Sequence, residues 1–404
     1  MTAQIGWIDF SEKDRKKALD VIHLLQEPGA VDELGFGRVR DAFANFFFPG
    51  TSTVQTRAKY FFIVPYVMKK ACADMGNKTI EDIIRSVDGR EKKCAEKMRP
   101  AKGVIGQDVL PKWVVRKPSN IYWNGLKKLG IFTYPQYSTT EYYREELLRR
   151  EYRMQDAGNR GGEENERDDE SATANGASAF WNLPPEYENN ADWYDNLEIE
   201  LQPWEAKHLR KCITEELNGS LFDIVVRNNI SIEHFLNAGK PEDDHFRALS
   251  NVIAKYVDSD TKHMMTLANR FNSLVFLCRI LYNKILFDDK NEKANNLWNS
   301  QYKQRLDDVA NLDIDNLLIK LDLKNDSHLH TFLKNMKQCL LDGDIEKATK
   351  YIIDREEDVK DKNRAKLSRR SDFAHLKWVG GFLLDYRLGA AALIINDIYE
   401  AEKK

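Results

Sequence analysis

The stretch GVIGQDVLPKWVVRKPSNIYWNGLKKLGIF, residues 103–132, decides how the front half of the chain is read. Val104-Ile105 and Trp113-Val114-Val115 are short β-branched or aromatic runs bounded by turn residues, and they read as two short strands. Pro118-Ser119 then opens a short helix over 120–129, which Gly130 stops before Ile131-Phe132. A small helix between strand-like runs, with helices ahead of it, has the order of a winged helix. The sequence therefore predicts a mainly α fold: an N-terminal helical domain with a small winged-helix-like α/β portion, an acidic linker and a C-terminal helical bundle.

Upstream, residues 11–25 (SEKDRKKALDVIHLL) open with Ser11 as an N-cap and place Ala18, Val21, Ile22 and Leu25 on one face. Pro28-Gly29 ends that helix. A second helix is expected over 39–47, and the hydroxyls of Thr51, Ser52 and Thr53 are expected to cap a third. That third helix carries Arg57 and Lys59 into the apolar run Tyr60–Met68. Thr79 begins a fourth, with Glu81 and Asp82 in its first turn. Downstream, residues 153–180 are poor in hydrophobics and rich in Gly, Asn, Ser and acids, the composition of a flexible tether. From Pro203 onward helical periodicity dominates, over 245–257, 263–287, 292–309, 329–341 and 345–353, with Asp342-Gly343-Asp344 as a turn. The domain division expected from this is 1–152, 153–180 and 181–404.

Charge is sorted along the chain. Residues 1–150 carry 26 Lys+Arg against 18 Asp+Glu, residues 151–200 carry 3 against 14, and residues 201–404 balance at 32 each. A basic segment attracts polyanions, and an acidic run stays solvated. The acidic run could instead fold back on the basic front as a nucleic-acid mimic; deleting residues 156–178 would then raise DNA affinity at low salt. The nine-residue apolar run Tyr60–Met68 is far short of the roughly 20 residues of a bilayer span, and residues 1–10 lack the features of a signal peptide. Five scattered cysteines without CxxC spacing suit reduced thiols in a soluble, cytoplasmic protein.

The basic front holds the candidate binding residues. Between Lys78 and Lys128 there are 13 basic and 6 acidic residues. Lys112, Arg116, Lys117, Lys127 and Lys128 surround Tyr122 and Trp123, a pattern that suits phosphate contacts with aromatic stacking on unpaired bases. Lys127 lies four residues after Trp123, on the same side of the expected helix. A second set, Arg38, Arg40, Arg57 and Lys59, brackets the hydroxyls of 51–53. The same residues also suit a solvated basic face with its aromatics buried, or an acidic protein partner. In the back half, Arg364, Lys366, Arg369, Arg370, Lys377 and Arg387 form a smaller basic cluster around Trp378-Val379-Gly380-Gly381.

Catalytic chemistry is weakly signalled. Gly35-Phe36-Gly37 lacks the third glycine and the lysine of a phosphate-cradling loop. His328-Leu329-His330 has no partner at metal spacing. Asp195, Glu198 and Glu200 hint at a nuclease carboxylate cluster without its lysine. No catalytic residue, metal ligand or cofactor is expected.

Several phrases occur together: IGWIDFS (5–11), EPGAVDELGFGRVRDAF (27–43), FFPGTSTVQTRAKYFFIVPY (47–66), RKPSNIYWNGLKKLGIF (116–132) and the late Leu384-Asp385-Tyr386-Arg387 with Asn396-Asp397-Ile398. On these the chain resembles, end to end apart from the acidic linker, an uncharacterised bacterial family known only as a domain of unknown function. It departs from the family pattern at Leu267–Phe271. Members of that family are often encoded near helicases and phage-defence or restriction-type genes. The resemblance implies a non-catalytic DNA-binding or adaptor subunit of a bacterial anti-phage defence system, with DNA and a helicase or nuclease subunit as partners and no membrane. The rival classes are a divergent metal-dependent nuclease and a protein-binding scaffold without nucleic-acid contact.

Overall fold

The computed structural model describes residues 32–74, 79–159, 180–188, 190, 192–236, 240, 242–360 and 362–404, with the backbone alone at 153–159 and 188. The chain is mainly helical. In order run α1 (Gly37–Phe47), α2 (Tyr60–Ala73), α3 (Ile80–Met98), α4 (Pro118–Lys128), α5 (Thr139–Asn159), α6 (Pro185–Glu188), α7 (Pro203–Glu216) and α8 (Leu221–Arg227). There follow α9 (His245–Ile253), α10 (Ser259–Leu286), α11 (Glu292–Ala310), α12 (Ile314–Lys320), α13 (Ser327–Asp342), α14 (Ile345–Lys360) and α15 (Leu388–Glu402). Among the described residues no helix is long and apolar enough to cross a membrane. The expected helix over 11–25, Lys78 and most of the acidic tether lie outside the described residues.

The winged-helix-like portion is not there. Among the described residues the only β pairing is an isolated antiparallel bridge between Phe132 and Trp181. Val104-Ile105 and Trp113–Val115 lie in an irregular loop with a single 3-10 turn at Gln107–Val109. The reason is local. Gly103 and Gly106 hold φ of 83° and 84°, left-handed values that interrupt a strand. The loop's backbone groups are instead satisfied by side chains: Ile105 N donates to the Tyr60 hydroxyl at 2.7 Å, and Thr56 Oγ1 donates to Gly103 O at 2.6 Å. A Cβ on Gly106 would come within 2.7 Å of the Trp113 ring, so glycine also permits that close approach.

Among the described residues the chain packs as two compact units drawn from non-contiguous stretches: those within 32–43, 240–251 and 258–385 form one, and those within 44–236, 252–257 and 386–404 form the other. The division expected from the sequence is linear; these units are not.

The first unit is built on α10, a 28-residue helix whose N-cap Asp258 accepts from Thr261 N. It is buried along almost its whole length, and it packs on α11 through a five-residue connection, an αα-hairpin. The pair α13 and α14 forms a second hairpin, turned by Gly343 at φ 72°. Buried Glu356 of α14 accepts from the Tyr282 hydroxyl at 2.7 Å and from Leu367 N at 2.9 Å. Two fully buried asparagines of α10 read the backbone of the segment after α14. Asn283 exchanges two hydrogen bonds with Val379 (2.8 and 2.9 Å), and Asn272 exchanges two with Leu384 (2.7 and 3.0 Å).

The second unit is organised around α2, whose apolar run is buried from Tyr60 to Pro65. Helices α3, α4 and α5 pack on it, while α7 packs on α8 and α15. Thr79 caps α3 with a full capping box to Asp82. The hydroxyls of 51–53 do not cap α2, which corrects the expectation. Thr51 Oγ1 donates back to Phe48 O at 2.6 Å, and the N-cap of α2 is Lys59, without a side-chain cap.

Candidate nucleic-acid interface

Arg38 and Arg40 belong to the first unit and the other nine candidate residues to the second. Arg38 on α1 pairs with Asp326 at 2.6 Å, and Arg40 pairs with its neighbour Asp41 at 3.1 Å. These two are thus engaged with carboxylates of their own unit.

In the second unit the candidates separate into internal and outward groups. Lys59 is 2% exposed and its ammonium sits 2.7 Å from Glu205, itself fully buried. Glu205 also accepts from Trp193 Nε1 at 3.0 Å and from Gln202 N at 2.7 Å. Lys59 therefore neutralises a buried carboxylate, and no phosphate can reach it. Arg57 spends its Nε on Asp397 of α15 at 3.0 Å and its Nη1 on Lys102 O at 2.9 Å, with Glu200 at 3.7 Å. Asp397 also accepts from Ala58 N at 2.7 Å, so it clasps the chain just ahead of α2.

The aromatics turn inward as well, which removes them as a stacking platform. Tyr122 is fully buried. Its hydroxyl accepts from Thr56 N and Arg57 N (3.0 and 3.1 Å) and donates to Arg57 O (2.8 Å), and burial pushes its ionisation far above the usual phenol range. Trp123 is 8% exposed and packs among Phe132, Tyr142 and Trp181, the nearest ring centroid at 4.5 Å. The shared side of Trp123 and Lys127 is real: Trp123 Nε1 and Lys127 Nζ both donate to Tyr137 O, at 3.2 and 3.5 Å. That side faces protein.

Lys117 pairs with Asp88 across α3 and α4. Next to this pair, Glu91 accepts from Ser119 N at 2.6 Å at the start of α4, while its second oxygen has no partner among the described residues. Desolvation raises the Glu91 carboxyl to about 8, against the lowering effect of the Ser119 hydrogen bond.

Lys112 and Lys128 are exposed, and Lys127 and Arg116 are half-exposed. Five exposed cations of the same segment were not singled out: Arg85, Lys93 and Lys97 on α3, and Arg99 and Lys102 in the loop after it. On α3, Arg85, Gly89, Lys93 and Lys97 recur every four residues and all are exposed, so they share the helix's outer face. That spacing was the signal in the sequence for this stripe.

Glu200 is drawn toward Arg57, while Asp195 and Glu198 are exposed on the preceding segment. His330 pairs with Asp315 at 2.6 Å on the surface of the first unit. Among the described residues no group of three or more His, Cys, Asp or Glu is placed to hold a metal ion. The first unit also has a cavity of about 310 Å³ between α13 and α14, whose lining sets Asp354 and Asp358 beside Arg355.

Residues 2–159 match the model of a family described as a family of unknown function, DUF6361. No curated protein and no solved structure matches the chain.

Proposed function

We propose that this chain is a non-catalytic DNA-binding or adaptor subunit of a bacterial anti-phage, restriction-like defence assembly. In this reading it holds nucleic acid through the surface cations of the Arg85–Lys128 segment and works beside a helicase or nuclease subunit. One observation carries the nucleic-acid part. After the fold has consumed Arg57, Lys59 and Lys117 internally, Lys93, Arg99, Lys102, Lys112 and Lys128 keep exposed side chains with no carboxylate partner among the described residues.

Unneutralised cations on one segment are what a phosphate backbone pairs with, because each contact releases condensed counterions. The inward turn of Tyr122 and Trp123 makes this segment a reader of backbone charge and not of unstacked bases. The defence setting rests on the family resemblance alone.

The test is retardation of a labelled duplex by the full chain and by Lys93→Ala, Lys102→Ala, Lys112→Ala, Lys128→Ala combined. All four are surface residues, so the variant is expected to melt with the parent. The reading requires binding by the parent and its loss in the variant. A parent that retards no DNA at low salt would support the scaffold reading instead.

A further inference from the structure

The turn that follows Val379 has a construction the Arg85–Lys128 segment lacks. Trp378 and Phe382 stack with ring centroids 4.8 Å apart and planes at 29°, and both are half-exposed. Between them Gly380 (φ 78°) and Gly381 are exposed, and their amides have no hydrogen-bond partner among the described residues. The Arg279 guanidinium lies against Gly381, 3.3 Å from where a Cβ would stand, and its Nη1 donates to Phe382 O. The exposed Lys293 ammonium is 4.2 Å from the Phe382 ring centroid and 5.6 Å from that of Trp378.

The turn is held from below. Asn283 grips Val379 on one side and Asn272 grips Leu384 on the other, both fully buried on α10. Residues 362–385 carry six Lys/Arg against two Asp. A ring pair, unpaired amides in a left-handed turn and two adjacent cations together match a flat aromatic base joined to a phosphate.

We propose that the Trp378–Phe382 turn binds a nucleotide unit of single-stranded nucleic acid, its base extending the Trp378–Phe382 stack and its phosphate held at the Gly380–Gly381 amides and Lys293. This site belongs to the first unit and the proposed duplex contact to the second. It uses other residues, recognises an unstacked base, and does not depend on the earlier reading.

The experiment measures fluorescence anisotropy of a short labelled oligothymidylate with the full chain, with Trp378→Leu/Phe382→Leu and with Lys293→Glu. A duplex probe and the four-lysine variant run alongside. Leu keeps much of the apolar bulk, so melting temperature and circular dichroism are expected to hold. The aromatic variant is expected to weaken oligothymidylate binding about five- to a hundredfold, the range of one lost base–aromatic stack, with duplex affinity unchanged. A bromodeoxyuridine oligonucleotide is expected to crosslink within residues 377–385. Parent protein that ignores oligothymidylate, unchanged affinity in the aromatic variant, or crosslinks only elsewhere each overturn the proposal. If the aromatic variant misfolds, Lys293→Glu decides alone, and undiminished affinity there overturns it. Loss of duplex binding in the four-lysine variant with oligothymidylate binding intact bears only on the first reading.

Discussion

Substituting Lys59 by Met leaves Glu205 as a buried carboxylate without its countercharge, the costly way to break an internal ion pair. The expected loss is about 3–5 kcal/mol in urea unfolding, with Lys59→Met/Glu205→Gln costing clearly less than the two single losses summed. A single substitution costing under about 1 kcal/mol would mean the pair is hydrated. Glu91 supplies a pH test. Its folded carboxyl is raised to about 8, mainly by burial, so the folded state binds more protons than the unfolded chain between roughly pH 4.5 and 8. Its contribution is fully present at the acid end and is lost as pH rises through that window, with a limiting slope of about 1.4 kcal/mol per pH unit. Glu91→Gln keeps an acceptor for Ser119 N and is expected to flatten this decline; an unaltered pH profile would contradict it. Neither residue's role was legible beforehand. Lys59 sits in a basic set and Glu91 in a mixed-charge helix, and periodicity does not say which polar side chain a neighbouring element will cover.

Helices with strong local signals match the reading closely. Pro118-Ser119 does open α4, Pro203 opens α7, and Asp342-Gly343-Asp344 does turn between α13 and α14. The strand expectation failed because Val104-Ile105 and Trp113–Val115 carry strand-like residues but no partner strand, and glycines at positive φ break them. The helix Thr139–Asn159 had no helical reading, and its last seven residues, 153–159, were expected to begin the flexible tether. Its acidic and basic residues lie among tyrosines, and Tyr142 and Tyr143 become core only through packing with Trp181 and its neighbours. At this scale the two asparagines of α10 make a prediction. Asn283→Ala orphans two buried backbone groups of Val379, so amide exchange at Val379 is expected to accelerate while Leu384, held by Asn272, stays protected. Equal protection at Val379 in parent and variant would contradict the clamp.

Across the whole chain, the sorting of charge was plain in the sequence, but which charges remain outside was not. Of the eleven residues proposed as contacts, Lys59, Tyr122 and Trp123 are internal, and Arg38, Arg40, Arg57 and Lys117 are engaged with carboxylates. Composition counts a lysine the same whether it balances a buried glutamate or faces water. The mapping of helices was legible because it is local. The assembly of residues 32–43 with 242–251 and 258–385 in one unit was not, because no local pattern marks which distant helices share a core. The most direct measurement of the central claim is the salt dependence of duplex affinity, read as the slope of log K against log salt between roughly 50 and 200 mM, for the parent and for Lys93→Ala/Lys102→Ala/Lys112→Ala/Lys128→Ala. Backbone contact by these side chains predicts a steep negative slope in the parent and a slope shallower by about 0.9 for each contacting lysine removed. Parallel slopes, or no measurable affinity in the parent, would contradict it.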